Sequence, residues 1–287
     1  MKGYFIFNKY LENDKFKCLK NSFSEEAKSL NIDIEFVSNS KLWQLVLDDK
    51  FDKRDFVLFW DKDIKLAKVL EDSGNKVINS SKAIEICDDK SKTFISLLNH
   101  NIKQPMTIVS PMIFYGSLAT DMDFIDSAIK KIGFPMIVKE CFGSFGEQVY
   151  LINNKDEFIS QIDKIGIRPF IIQEFIKTSF GKDLRLYLVG GKVLASMKRV
   201  NSSGDFRANI EIGATGTLYN ANDKQVEMAI KVSKEIGLEF GGIDLLFGEN
   251  DEPIFCEANS NAYFNEMNRV ANIKIEQHIL KHIISMV

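Results

Sequence analysis

Two apolar runs, Gly242-Ile243-Asp244-Leu245-Leu246-Phe247 and Ile254-Phe255-Cys256-Glu257-Ala258-Asn259, flank the polar segment Gly248 to Pro253, and each carries a single carboxylate. Short apolar runs split by turn-forming residues read as two antiparallel strands. A hairpin centred between Asn250 and Asp251 puts Asp244 directly opposite Glu257, and Asn259, two residues on, shares the face of Glu257. Like charges placed opposite each other destabilise a sheet. A divalent cation removes that conflict: two carboxylates and an amide oxygen are hard ligands that Mg²⁺ or Mn²⁺ accepts while leaving positions open for phosphate oxygens. A solvated hairpin with a frayed register accounts for the same residues without any ligand.

The rest of the chain bounds the setting. Its 287 residues give room for about two conventional domains, and 45% hydrophobic content suits a sizeable core. A net charge of −3 supplies no global field for nucleic acid or an anionic membrane. The longest apolar runs, such as Phe56 to Trp60, are too short to span a bilayer, and Met1 leads into a strand-like run rather than a signal peptide, so a cytoplasmic protein is expected. Cysteines 18, 87, 141 and 256 lack paired CxxC spacing and read as reduced thiols. Three histidines, two of them His278 and His282 near the end, do not make a zinc site.

Strands and helices alternate first: strand Tyr4 to Phe7, helix Asp14 to Leu30, strand Ile32 to Val37, buried strand Phe56 to Trp60, helix Lys62 to Ser73, strand Lys76 to Ile78, then a helix capped by Ser80 or Ser81. Near residue 88 a second unit begins, with a helix capped by Asp88 or Asp89 and running to about His100. Extended segments then dominate, interrupted by helices near Asp121 to Ile132 and from Asp223 to Ile236. The expected class is therefore an α/β N-terminal domain over 1–88 followed by an α+β body, with the ligand cleft at their junction.

Three further constellations bear on phosphate chemistry. Lys139 ends the apolar run after Gly133, and Cys141-Phe142-Gly143-Ser144-Phe145-Gly146 follows. A glycine-rich turn points N–H groups at anionic oxygens beside an ammonium, although an ordinary hairpin turn has the same composition. Pro169 to Ile176, apolar except for Gln173 and Glu174, makes a wall for a planar base before Gly181-Lys182-Asp183-Leu184-Arg185. A Gly190-Gly191 turn sets Leu184, Leu186 and Leu188 against Met197, Ala195 and Val193, with Asp183 opposite Lys198; Arg185 then reads as a surface ion-pair residue. Finally, Arg199 and the alternating segment Gly204 to Glu211, with Arg207, Asn209 and Glu211 on one face, suit a carboxylate or an acyl phosphate.

In this order the pieces resemble the ATP-grasp carboxylate–amine ligases, most closely the RimK-like branch, over Asp89-Lys90-Ser91-Lys92-Thr93, Lys139, Gly143 to Gly146, Gln173 to Ile176, Gly181 to Arg185, Gly204 to Asn209 and the Asp244, Glu257, Asn259 hairpin. The resemblance implies an N-terminal α/β domain (1–88), then central (89–172) and C-terminal (173–287) α+β subdomains clasping ATP. It implies that Lys90, Lys139 and the loop of Gly143, Ser144, Phe145 and Gly146 hold phosphates. Adenine would lie at Glu174, Phe175 and Ile176, with the ribose near Asp183. Two Mg²⁺ ions, Mn²⁺ being an alternative, would sit on Asp244, Glu257 and Asn259, and Arg199 and Arg207 would face the acyl phosphate. The implied reaction phosphorylates a carboxylate and lets an amine displace the phosphate, joining an amino acid or other acid to an acceptor that is a peptide, a protein or a metabolite. No nucleic-acid or membrane partner is implied, and assembly into several copies is left open. A macrocyclase of a precursor peptide and a non-catalytic nucleotide-binding regulator are the alternatives on the same fold. One departure bears on the substrate: many relatives follow the metal-binding asparagine with a small residue and Pro-Gly, whereas this chain has Ser260-Asn261-Ala262-Tyr263-Phe264-Asn265.

Overall fold

Phe56-Val57-Leu58-Phe59-Trp60 is buried along its whole length, which demands cover on both faces of whatever sheet it joins. In the computed structural model, which describes residues 1–11, 13–114 and 121–287, that sheet is parallel. It is built from β1 (Lys2–Phe7), α1 (Asp14–Ser29), β2 (Asp33–Ser38), α2 (Asn39–Leu47), β3 (Phe56–Trp60), α3 (Ile64–Asp72), β4 (Val77–Ile78) and α4 (Ser81–Asp88), followed by α5 (Lys90–Leu97). The strand order is β2-β1-β3-β4. Phe5, Phe56, Leu58 and Trp60 pack on α1, while Tyr4, Ile6, Val57 and Phe59 pack on Leu42 of α2, Leu66 and Leu70 of α3 and Ile84 of α4. The helix starts follow the local chemistry: Asn13, Asp63, Ser80 and Asp89 each accept from an N–H in the first turn.

A second, antiparallel sheet runs β5-β8-β6-β7. Its elements are β5 (Thr107–Val109), α6 (Met122–Ile132), β6 (Met136–Glu140), β7 (Val149–Ile152), α7 (Lys155–Ile165) and β8 (Phe170–Glu174). Both helices cover one face through Ile125, Phe158 and Ile162. Because β8 pairs with β6 as far as Glu174, the expected division at 172/173 falls inside a strand. A strand cannot be split between sheets without breaking that ladder.

The third sheet, order β11-β10-β9-β12-β13, comprises β9 (Lys182–Val189), β10 (Lys192–Val200), β11 (Thr215–Leu218), α8 (Asp223–Ile236), β12 (Phe240–Phe247) and β13 (Pro253–Asn259), with α9 (Asn265–Ala271) and α10 (Ile275–Met286) closing the chain. α7, α9 and α10 thus add to the two helices expected in this half. α8 buries Leu184, Leu186, Ile243 and Leu245 on one face of the sheet. On the other face, Tyr187, Phe240 and Phe264 join Phe5, Phe23 and Trp60 of the N-terminal layer, with Trp60 stacked on Phe240 at 5.5 Å.

Two expected registers change, and one expected strand is absent. In β9/β10 the pairing slips between Val193 and Ala195, so Asp183 lies opposite Arg199 and not Lys198. A bulge inserts one residue into one strand, which flips every later partner. In β12/β13 the turn centres on Asn250, since Phe247 pairs with Pro253, and a second bulge between Asp244 and Leu245 restores Asp244 opposite Glu257. The facing carboxylates are real, although the symmetric hairpin was not how they came to face. Residues 204–209 form no strand: Arg207 N–H donates to Asp205 Oδ1 at 2.9 Å and a 3-10 turn follows at Ile210–Ile212. An aspartate bonding its own backbone two residues on favours a turn over a ladder.

Asn79 joins the first and third sheets. Fully buried, it donates to the carbonyls of Phe240 (2.8 Å) and Ser260 (2.9 Å) and accepts from the N–H of Glu239 (2.8 Å). Asn79→Ala leaves these backbone groups buried without partners. It should therefore lower the unfolding free energy by about 3 kcal/mol in urea titrations; a loss below about 0.5 kcal/mol would refute this role.

Candidate active site

The second and third sheets face each other across a cleft lined by the end of β6, the 143–146 loop, the end of β8, the start of β9, and the middles of β12 and β13. Every residue singled out for phosphate, base or acyl binding lines it: Lys90, Lys139, Gly143, Ser144, Phe145, Gly146, Glu174, Phe175, Ile176, Asp183, Arg199 and Arg207. Asp244 and Glu257 line it too, whereas Asn259 opens on an adjoining cavity that shares Glu257, Arg199, Asn209, Ser144 and Phe145.

Lys139 projects from β6, and Lys90 opens α5. Among the described residues neither meets a carboxylate: Lys90 Nζ reaches only Gly143 O at 3.4 Å and Lys139 Nζ only Cys256 Sγ at 3.9 Å. Two ammonium groups without counter-ions, beside a glycine-rich loop, form an anion site. Burial pushes the Cys256 thiol up to about 11 against the pull of Lys139, so it is protonated at neutral pH and no nucleophile.

The loop is tied at both ends. Lys62 Nζ donates to Ser144 Oγ (3.3 Å), and Arg207 Nη1 donates to Gly146 O (2.7 Å). Gly146 has φ +76°, a backbone region that favours glycine, and a Cβ there would come within 2.6 Å of Asn209 Oδ1 and displace that side chain. Beyond the loop, β8 ends with the Glu174 side chain accepting from Met106 N–H at 2.9 Å through Oε1. Phe175 packs edge-on against Phe180 and Phe206 at 6.2 and 6.3 Å.

The floor is a chain of buried charges across three strands. Arg185 grips Asp244 with Nε–Oδ1 at 2.7 Å and Nη2–Oδ2 at 2.6 Å; Arg199 grips Asp183 at 2.7 and 2.6 Å and also donates to Asp244 Oδ2 at 2.8 Å. The slipped β9/β10 register produces this pairing. Burial alone would raise the Asp244 carboxyl, but Arg185 and Arg199 outweigh it and hold it at about 2. The charge conflict between Asp244 and Glu257 is therefore relieved by guanidinium groups, a correction to the expectation that a metal is needed for it. Arg185 is likewise no surface ion-pair residue; its side chain is 16% exposed. Asp183 and Arg199, expected at ribose and acyl phosphate, are in the first place partners of each other.

Glu257 is the exception: among the described residues it makes no hydrogen bond or ion pair, although it lines both cavities. The Asn259 amide makes no hydrogen bond either, and its nitrogen is buried. Among the described residues Asp244 Oδ1 accepts one N–H, so a lone pair remains. These oxygens fit a hard divalent cation in donor type and in unsatisfied capacity, although the described residues hold no cluster of three or more His, Cys, Asp or Glu suited to a metal.

A family model described as the RimK-like ATP-grasp domain matches residues 87–283. The chain belongs to the RimK-like ATP-grasp family. As an ATP-grasp ligase it is an enzyme, and several of its relatives are named synthases or ligases. An uncharacterized protein of Mycoplasma pneumoniae is 34% identical over 83% of each chain. Human N-acetylaspartylglutamate synthase A is 32% identical over 79% of this chain and 56% of its own length, so the match spans little more than half of that relative. A probable α-L-glutamate ligase of Shewanella is 31% identical over 77% of this chain and 71% of its own. Among solved structures, the D-alanine–D-alanine ligase of Bacillus anthracis with ATP superposes at TM-score 0.76 with 17% identity, covering 99% of this chain and 96% of that one. The ATP-grasp ligase PsnB with its minimal precursor superposes at 0.72 with 16% identity, covering 99% of each chain. These two likenesses establish fold only.

In this ATP-grasp ligase the sequence reading missed Lys62 and the depth of Arg185. Lys62 comes from the N-terminal layer and has no local signal. Arg185 could have been found by pairing β9 with β12 and not with β10 alone.

The floor yields a stability test. Asp244→Ala leaves two buried guanidinium groups with one carboxylate and should cost about 3–5 kcal/mol in denaturant titrations, whereas Glu257→Ala should be neutral or stabilising. Because the folded Asp244 pKa lies below its unfolded value, its contribution is complete above about pH 4 and is lost only as pH falls through about 2. Loss of this contribution already at pH 5 would contradict the network.

Proposed function

We propose that the enzyme makes an amide bond by phosphorylating a carboxylate with ATP and letting an amino acid displace the phosphate. The observation that carries this is unmatched charge of both signs in one cleft. Among the described residues Lys90 and Lys139 lack acids and Glu257 lacks a base. Phosphoryl transfer uses both, cations on the transferring oxygens and free oxygen ligands for the metal that accompanies ATP.

In the proposed complex Lys90, Lys139 and the 143–146 loop hold the phosphates, and the adenine rests by backbone of Glu174 to Ile176, with Asp183 toward the ribose. Glu257, Asn259 and Asp244 Oδ1 would hold Mg²⁺ or Mn²⁺, two ions in this reading, which neutralises phosphate charge when bound. Arg199 and Arg207 keep N–H groups beyond those bonded to Asp183, Asp244, Asp205 and Gly146, and these face the acid and its acyl phosphate. A guanidinium keeps its charge as the carboxylate becomes a mixed anhydride. The amine then attacks the carbonyl carbon, the C–O bond to phosphate breaks, and the amine proton leaves to solvent. The relatives' names share glutamate, which makes it the first amine to test. The unmatched set is complete, which disfavours a purely regulatory nucleotide-binding role.

Screening acid and amine pairs for ATP-dependent product should give ADP and phosphate; AMP and pyrophosphate would reject the acyl-phosphate route. Product from peptides alone would move the reading to a macrocyclase. Within that assay Arg207→Lys should lower kcat/KM for the acid about 100-fold, near 3 kcal/mol of transition-state stabilisation, with ATP affinity within a few-fold. If ATP affinity fell equally, Arg207 would serve only to hold the loop.

A further inference from the structure

The cavity that adjoins the ATP cleft has an apolar wall. Leu11, on a 3-10 turn after β1, is 61% exposed, and Phe145 of the phosphate loop is 43% exposed. Both line this cavity, as does the half-buried Tyr263. Large apolar side chains left open in one cleft mark a surface that a ligand covers. Phe145 lines the ATP cleft too, so it stands where the two spaces meet. It is held there against its own backbone preference, with φ at +60°, a region costly for a bulky side chain. The strain persists because both neighbours are pinned. The Ser144 hydroxyl accepts from Lys62 Nζ, Ser144 N–H donates to Gln148 Oε1 at 3.2 Å, and the Gly146 carbonyl accepts from Arg207 Nη1.

The charges of the same cavity bear on what kind of molecule covers this wall. Among the described residues each cation lining it is already bound to an acid: Lys62 to Asp88, Arg185 to Asp244 and Arg199 to Asp183, all at 2.6 Å. Glu211 is paired with Lys15 at 3.0 Å, and Glu257 has no cation. One carboxylate can take the N–H groups that Arg185 and Arg199 do not use. A second would meet no unpaired cation here, and a carboxylate taken out of water without a partner is costly. An apolar group against Leu11, Phe145 and Tyr263 is instead stabilised by leaving water.

We infer that the acid phosphorylated by this enzyme is a monocarboxylic acid with an apolar body, its carboxylate toward Arg199 and its apolar part against Phe145, Leu11 and Tyr263. The wall is assigned to the acid and not to the amine because Phe145 belongs to the loop that holds the phosphates in the proposed complex. The molecule that receives the phosphoryl group is therefore the one that reaches it. The inference rests on the ligase reading and deepens it: that reading leaves the acid open, whereas the wall and the paired cations disfavour a second carboxylate.

The test is calorimetric binding of N-acetyl amino acids, which share one carboxylate and differ in side chain, to full-length protein saturated with Mg²⁺ and a non-hydrolysable ATP analogue. N-acetylleucine or N-acetylphenylalanine should bind about tenfold more tightly than N-acetylglycine, the scale of one buried apolar side chain. N-acetylaspartate should bind no better than N-acetylglycine. Leu11→Ala should weaken the apolar acids about threefold or more, and Leu11→Arg, which supplies the missing cation, should raise N-acetylaspartate affinity by a similar factor. Leu11 is exposed on a turn, so both variants should fold; if they do not, the wild-type ranking still decides. Tighter binding of N-acetylaspartate than of the two apolar acids, no gain from an apolar side chain over N-acetylglycine, or indifference to both Leu11 variants would overturn the seat. Failure of the ATP analogue itself to bind wild type would sink the ligase reading and the seat with it, whereas with the analogue bound the ranking of acids judges the seat alone.

Discussion

The ion chain Arg185, Asp244, Arg199 and Asp183 is the constraint on which the cleft depends. Buried ion networks add little net stability over apolar packing, yet breaking one partner is costly. Its position, with α8 filling the opposite face of the same sheet, fixes two arginines and two aspartates in one geometry. What the network leaves over on this floor, among the described residues, is Glu257, Asn259, one lone pair of Asp244 and the N–H groups of Arg185 and Arg199 that it does not use, opposite Lys90, Lys139 and the 143–146 loop.

That floor is held against the other layers by two unlike devices. The Trp60 and Phe240 stack, with Phe23 and Phe264 edge-on to Trp60 at 5.6 and 5.7 Å, supplies area burial between the first and third sheets. Asn79 supplies direction, since its amide is matched only when the strand start at Phe240 and the turn at Ser260 stand in one relation. The chain between β13 and α9 is thereby fixed beside Asn259, and the adjoining cavity takes its shape from both layers. On the opposite wall, Arg207 and Lys62 draw the 143–146 loop toward the third and first sheets respectively, so all three layers meet around the place where phosphate would sit.

Much of this was legible in the chain. Period-2 and period-3.6 patterns with Asn, Asp and Ser caps gave the α/β layer and most helix starts, because capping is local chemistry. The site residues could be gathered because Lys139, the glycine loop, Asp244 and Glu257 lie in strands or turns whose faces follow from alternation. The register of β9/β10 could not be read, since a bulge costs little and leaves no sequence mark. That slip is what turned Asp183 from a partner of Lys198 into a partner of Arg199.

By itself the sequence determined that two strands, each with one carboxylate, would form a hairpin, and which family the chain belongs to; that Asp244 faces Glu257 depends on a bulge the sequence does not mark. The hairpin rests on residues near one another in the chain, and the family on an ordered set of short motifs. Only the tertiary structure decided how the facing charges are neutralised, because Arg185 and Arg199 reach Asp244 across strands joined by long connections. Only it decided, too, that Leu11 of the first layer borders the same cavity as Arg185 and Asn259. Coulombic partners are chosen by proximity in space, and for these residues proximity is set by sheet order and docking, which no local pattern encodes.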